Sequence, residues 1–244
     1  MTAEPITPDQ YRKLKPYFEG QTYPLCAYSL PAIISWRTGV YDARYIEMDG
    51  ALIVVAHFVK NPARGHMLLP ISPVKSFTPE GLHELSLVTG VGAYGFVPES
   101  YIQQEDRFEL ERYFNVTHQS EYDDYIYRTR DLADLKGNRY SKKRNLIHQF
   151  HRIYTDANRV KTESLTPGVI EECLAFLNRW CEEHDCDSQP EEDLACEKQA
   201  CINMLIHYSQ FDVSGVLVRI DEEIAAFGIG ARLTDEMGVL HFEK

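Results

Sequence analysis

The chain has 244 residues, 44% of them hydrophobic and 25% charged, with a formal net charge of −12. This is the composition of a globular protein with enough apolar residues for one large core or two smaller ones, and its negative charge opposes broad contact with a nucleic-acid polyanion. The longest apolar run, Ala51 to Ala56, falls far short of the roughly 20 residues that cross a bilayer. The opening "MTAEPITPDQ" has neither the basic nor the apolar region of a secretory signal, so no transmembrane segment and a cytoplasmic location are expected.

Residues 8–20 read as a short helix, capped by Thr7, with Pro8 at its first position and Gly20 as its stop. Next, "RYIEM", Asp49-Gly50 and "ALIVVAHFV" read as a hairpin, because Asp-Gly supplies the positive φ angles of a type I′ turn. "KNPARG" predicts a second turn and "HMLLPI" a third strand. Thr78-Pro79-Glu80 opens a helix to about Val88, and "AYGFVP" follows as a fourth strand. Glycines 90, 92 and 95 spell G-x-G-x-x-G, but a dinucleotide fingerprint needs a strand before it and a helix after it. Here the order is reversed, so these glycines read as a helix stop and a tight turn.

From Lys136 to Thr155 there are six Lys and Arg residues and no acid. Helical spacing over 141–154 puts Leu146, Ile147, Phe150 and Ile153 on one apolar stripe, expected to be buried between two sheets with the helix start facing a cleft. Arg144, His148, His151 and Arg152 fall on a neighbouring face. Ser141 as N-cap places Lys142, Lys143 and Arg144 in the first turn, where the helix dipole disfavours each cation by a few tenths to about 1 kcal/mol. The free N–H groups of such a turn attract anions. Two readings stay open: a site for a phosphate or carboxylate, or a solvated basic face paired with acids elsewhere.

Residues 168–184, "GVIEECLAFLNRWCEEH", have a 3.6-residue apolar period and a Thr166-Pro167 start. Five of the six cysteines lie between 173 and 201. A zinc set of Cys181, His184, Cys186 and Cys196 matches no standard spacing, so the cysteines read as small buried hydrophobes and no metal is expected. Residues 182–197 carry eight acids and no Lys or Arg, a solvated helix end and loop or else a docking surface for a basic partner. Residues 215–242 then repeat the earlier order of strand, tight turn, long strand, turn, strand. Gly228 and Gly230 sit inside a strand pattern, which signals a bulge or a close approach by another backbone or a ligand. His57 and His66 read as packed or surface residues. No nucleophile elbow, H-E-x-x-H, Walker A or cysteine-nucleophile signature is present.

The stretch "YIYRTRDLADLKGNRYSKKRNLIHQF" with the later "ECLAFLNRWCEE" resembles the soluble relatives of the phosphatidylglycerol lysyltransferase C-terminal domain. The pattern is carried by Tyr127, Asp131, Leu132, Leu135, Gly137, Tyr140, Lys142, Lys143, Arg144, Asn145, Ile147, Phe150, Trp180 and Cys181. The resemblance implies an α+β fold of two tandem acetyltransferase-like (GNAT-like) domains, 1–125 and 126–244, with mixed, mainly antiparallel sheets flanked by helices. The second is expected to be incomplete at its C-terminus. It also implies acyl or aminoacyl transfer from acyl-CoA or aminoacyl-tRNA to an amine or hydroxyl. Arg139, Tyr140, Lys142, Lys143, Arg144, Asn145 and His148 are then the candidate contacts to the donor's phosphates, with no separate cofactor and no residue assigned as general base. The alternative is a non-catalytic anion- or nucleotide-binding module that keeps the fold. Oligomeric state stays open.

Overall fold

Two four-stranded antiparallel sheets organise the chain, one from each half. The structure is a computed structural model and describes residues 2–73, 76–184 and 193–244. In the first half β1 (Glu4–Pro5) is followed by α1 (Tyr11–Phe18) and α2 (Leu30–Ser35). Strands β2 (Tyr41–Met48), β3 (Ala51–Phe58) and β4 (Asn61–Met67) then complete a sheet in chain order. Helices α3 (Pro79–Thr89), α4 (Glu99–Gln104), α5 (Arg107–Tyr113), α6 (Thr129–Asp134) and α7 (Ser141–Phe150) lie between the halves in sequence. In the second half β5 (Val160–Ser164) is followed by α8 (Ile170–Glu183) and α9 (Asp193–Ile206). Strands β6 (Val213–Ile220), β7 (Glu223–Arg232) and β8 (Gly238–Glu243) complete the second sheet, again in chain order. Strand, two helices and three meandering strands thus recur in the same sequence.

Local chemistry explains most of these boundaries. Thr7 and Gln10 form a reciprocal capping box, the Thr7 N–H donating to Gln10 Oε1 at 3.2 Å, and Gly20 ends the segment at φ 77°. Asp49 and Gly50 both take positive φ, 51° and 77°, so Met48 pairs directly with Ala51 as a type I′ hairpin requires. At α3 the Thr78 hydroxyl accepts the Gly81 N–H at 3.2 Å, and Gly90 closes the helix in the left-handed region.

Three expected elements differ. Of "HMLLPI" only His66 and Met67 lie in a strand, with Ile71 making a single bridge to Leu52. "KNPARG" is mostly strand, because Phe58 pairs with Asn61 across a two-residue turn and a bulge near Ala56–Phe58 absorbs the surplus residues. "AYGFVP" is not a full strand. It contributes one parallel bridge, Tyr94 to Met67, with the Gly95 N–H donating to the Met67 carbonyl at 2.9 Å. Phe96 at φ 52° breaks the extended run immediately afterwards. In the second sheet a Cβ on Gly230 would lie 2.7 Å from the Val239 carbonyl, so this glycine answers to the approach of another backbone at the β7–β8 bulge.

The buried side chains of both halves form one continuous core. Helix α2 packs on α9, and the Asn203 amide donates to the Ser35 carbonyl at 2.8 Å. Buried Gln21 donates to the Leu233 carbonyl at 2.7 Å, and Trp36 stacks on Phe242. Cys173, Cys181 and Cys201 are buried in α8 and α9 as small hydrophobes, whereas Cys26 is exposed. Among the described residues no helix is long and apolar enough to cross a membrane.

Candidate functional site

The cation-rich helix α7 does not lie between the sheets, and its stripe is not buried. It sits on an arm running from about Tyr125 to Asn158. The base of the arm is held by the Cys26 N–H donating to Asp124 at 2.7 Å, by Tyr122 against Phe96, and by Arg159 paired with Asp221. Leu146, Ile147 and Ile153 are 64%, 40% and 48% exposed, and Phe150 is only half-buried. The reason is tertiary: α7 packs chiefly on its own flanking turns, so the periodic apolar face has no sheet to meet. Between Asn115 and Arg159, Tyr140 alone is buried among the residues whose exposure is described.

The arm takes its shape from a few polar ties. Helix α6 ends with Leu135 in the left-handed region, φ 47°, and Gly137 follows at φ 91°. The last carbonyls of a helix lack intrahelical donors and carry partial negative charge. The Arg144 guanidinium reaches back to satisfy two acceptors there, the carbonyl of Leu135 and that of Gly137, the latter at 2.8 Å. Arg139 pairs with Asp131 at 2.7 Å and lies over the ring of Tyr140 at 4.7 Å. Lys136 pairs with Asp134 at 3.0 Å.

Helix α7 starts at Ser141, with Tyr140 rather than Ser141 as its N-cap. A 3-10 turn over Asn138–Tyr140 leads into α7, with the Tyr140 and Ser141 N–H groups bonded to the carbonyls of Gly137 and Asn138. Ser141 makes no capping bond. Lys142 and Lys143 therefore stand in the first turn of α7, as expected.

Of the seven candidate residues, the structure thus commits three to the arm itself: Arg139, Arg144 and buried Tyr140. The other four, Lys142, Lys143, Asn145 and His148, are exposed, and their side chains make no hydrogen bond or ion pair among the described residues. They share one helix but not one face. Asn145 and His148 lie on its polar side, Lys142 borders the apolar stripe, and Lys143 falls within it. Among the described residues the arm's cations make no ion pair with Glu182, Glu183 or Glu197, the acids of the 182–197 block whose side chains are described. Positions 185–192 lie outside the described residues, and Glu197 pairs instead with Lys244, whose ammonium sits 4.3 Å from the Trp180 ring.

Elsewhere the alternatives resolve structurally. No group of three His, Cys, Asp or Glu side chains able to hold a metal is found among the described residues, and Cys186 of the zinc reading lies outside them. Gly90 is a helix stop and Gly95 lies against the His66 ring, so the G-x-G-x-x-G spelling holds no nucleotide loop. Burial lowers the pKa of His66, which packs as expected. One polar pair at the junction of the halves has no local signal in the sequence. Ser29 Oγ and His241 Nε2 lie 3.1 Å apart, 212 positions distant in the chain, and burial pushes His241 down to about 4.

Residues 89–244 match the family described as phosphatidylglycerol lysyltransferase, C-terminal. The chain is also similar to a crystal structure described as a conserved protein of unknown function from Bacteroides thetaiotaomicron VPI-5482. The two share 23% sequence identity and a TM-score of 0.78 over 100% of this chain and 80% of that one, a likeness of fold. No protein of curated function matches.

Proposed function

The chain belongs to the phosphatidylglycerol lysyltransferase C-terminal family, and from that premise we propose that it is an acyl- or aminoacyltransferase. The two halves, 1–125 and 126–244, are read as GNAT-like domains in tandem, and the setting as cytoplasmic. An acceptor amine or hydroxyl attacks the carbonyl of an activated ester or thioester. The new amide or ester bond forms, the donor's tRNA hydroxyl or CoA thiol departs, and the acceptor proton passes to solvent. The protein's part is to position the two reactants and stabilise the developing oxyanion. The observation that carries the reading is that Lys142, Lys143, Asn145 and His148 are exposed and unengaged among the described residues within the matched stretch, available to a donor's phosphates.

Direct titration with aminoacyl-tRNA and with acyl-CoA at several salt concentrations tests this. A donor clamped by these lysines binds more weakly as salt rises, and Lys142→Ala with Lys143→Ala flattens that dependence by roughly 0.7–0.9 log units per lost phosphate contact. Failure of both donors to bind overturns it. The second reading is a non-catalytic anion-binding module. The consumption of Arg139 and Arg144 by bonds inside the arm favours it, because a donor clamp is left with two free cations rather than four. Donor binding without turnover of any amine or hydroxyl acceptor selects that reading.

A further inference from the structure

We infer that the arm docks onto an anionic lipid surface through the apolar stripe of α7 and the cations around it. The first observation is exposure. Of the eighteen large hydrophobic side chains exposed among the described residues, nine lie between Val116 and Ile153. They include Tyr125 at 88% and Ile126 at 64% at the arm's entry, and Leu146 at 64% on α7. Isolated exposed leucines are ordinary on a protein surface, but a cluster confined to one segment marks an interaction site.

The second observation is charge. Residues 128–161 hold ten cations and three acids, a net of +7, whereas all other positions together carry −19. A molecule polarised in this way meets a negative surface arm first, with its acidic body held off, over a range set by the Debye length of about 10 Å. The third observation is their arrangement. Leu146, Ile147, Phe150 and Ile153 recur at helical spacing, and Lys142 and Lys143 stand on or beside the start of the stripe. Amphipathic helices that lie in a membrane interface have this make-up, with apolar side chains entering the acyl boundary and Lys or Arg meeting headgroup phosphates. Tyrosines such as Tyr125 and Tyr127 suit the same depth.

A nucleic acid would use the cations but gains little from Leu146, Ile147 and Ile153, which offer neither stacking faces nor donors. The inference shares Lys142 and Lys143 with the transfer reading, but the apolar stripe belongs to the lipid reading alone, so the Leu146 and Ile147 variants tell the two apart.

Co-sedimentation with phosphatidylcholine vesicles, with and without phosphatidylserine, tests it on the full chain. Binding to the anionic vesicles only, weakened by salt, is the expected result. Lys142→Ala and Lys143→Ala each cost about five-fold. Leu146→Ser with Ile147→Ser costs at least about ten-fold, with the melting temperature and donor affinity unchanged. Leu146→Trp keeps the stripe apolar, and its emission should shift to the blue on anionic vesicles alone. Three results overturn the inference: no preference for anionic vesicles, vesicle binding untouched by the double serine variant, or light scattering that shows the stripe consumed in a dimer which that variant dissociates. Binding to tRNA with none to vesicles assigns the surface to nucleic acid instead.

Discussion

Within one run of basic residues, Arg144 and the two lysines before it are expected to behave in opposite ways. Replacing Arg144 by Ala removes charge-assisted hydrogen bonds to the carbonyls of Leu135 and Gly137 in the turn that follows α6. Such bonds are worth about 1.5–3 kcal/mol each when sheltered. Arg144 is only part-buried and water replaces some of what is lost, so the pair is worth about 1–2 kcal/mol here. That figure belongs to local opening of the arm, because the arm adds almost nothing to the core. Hydrogen exchange of amides 135–150 should then accelerate about 5–30-fold in Arg144→Ala, while the global melting temperature barely moves. Lys142→Ala and Lys143→Ala, which break no bond among the described residues, should leave both observables unchanged. Equal exchange in wild type and Arg144→Ala, or equal acceleration by the lysine variants, refutes the division of labour between these cations.

Acid should weaken the junction of the halves. The folded-state pKa of His241 is about 4, below the ordinary 6.5, so the unfolded chain binds more protons between those values. This group's contribution is full above about pH 6.5 and is lost as pH falls toward 4, by ~3 kcal/mol in all. His241→Gln should therefore flatten the pH dependence of thermal melting over that window, and parallel slopes would sink the idea. Gly230→Ala drives a methyl against the Val239 carbonyl and should cost about 1–3 kcal/mol in denaturant titration. Gly92→Ala has nothing within 4 Å and should cost little. Leu177→Ala in the core should cost about 2–5 kcal/mol. Leu146→Ala should stay within about 0.5 kcal/mol, and a large loss there would mean that the stripe is covered after all.

The sheets were legible where local rules decide the outcome. Asp49-Gly50 dictates a tight turn wherever it lies between two apolar runs, and Thr78-Pro79 dictates a helix start. The recurrence of strand, turn, strand in 215–242 shows the same grammar, and the structure adds the pairs of helices that precede each meander. The misplaced elements were those that a long-range partner settles. "KNPARG" contains a proline and a glycine yet is drawn into β4 by its register against β3. "AYGFVP" has strand-forming residues but meets only Met67 before Phe96 turns the chain away. The contacts between the halves, Ser29 with His241 and Gln21 with Leu233, join positions 212 apart and leave no local trace.

The arm shows where periodicity stops being informative. An apolar stripe at helical spacing states that one face of a helix avoids water, but the same stripe serves a core, another protein or a lipid surface equally well. The choice depends on what stands opposite, which is a property of the fold. Charge was similarly ambiguous. Six cations in one run look equivalent by type, yet Arg144 reaches two backbone carbonyls, Arg139 reaches Asp131, and Lys142 and Lys143 reach nothing among the described residues. The left-handed Leu135 and the glycine at 137 make this sorting possible, since they fold the end of α6 back to within the span of one arginine side chain. Once the arginines are occupied in holding the turn, the lysines and the stripe remain displayed together. A helix whose cations are divided in this way can keep its shape in water and still present charge and apolar surface outward.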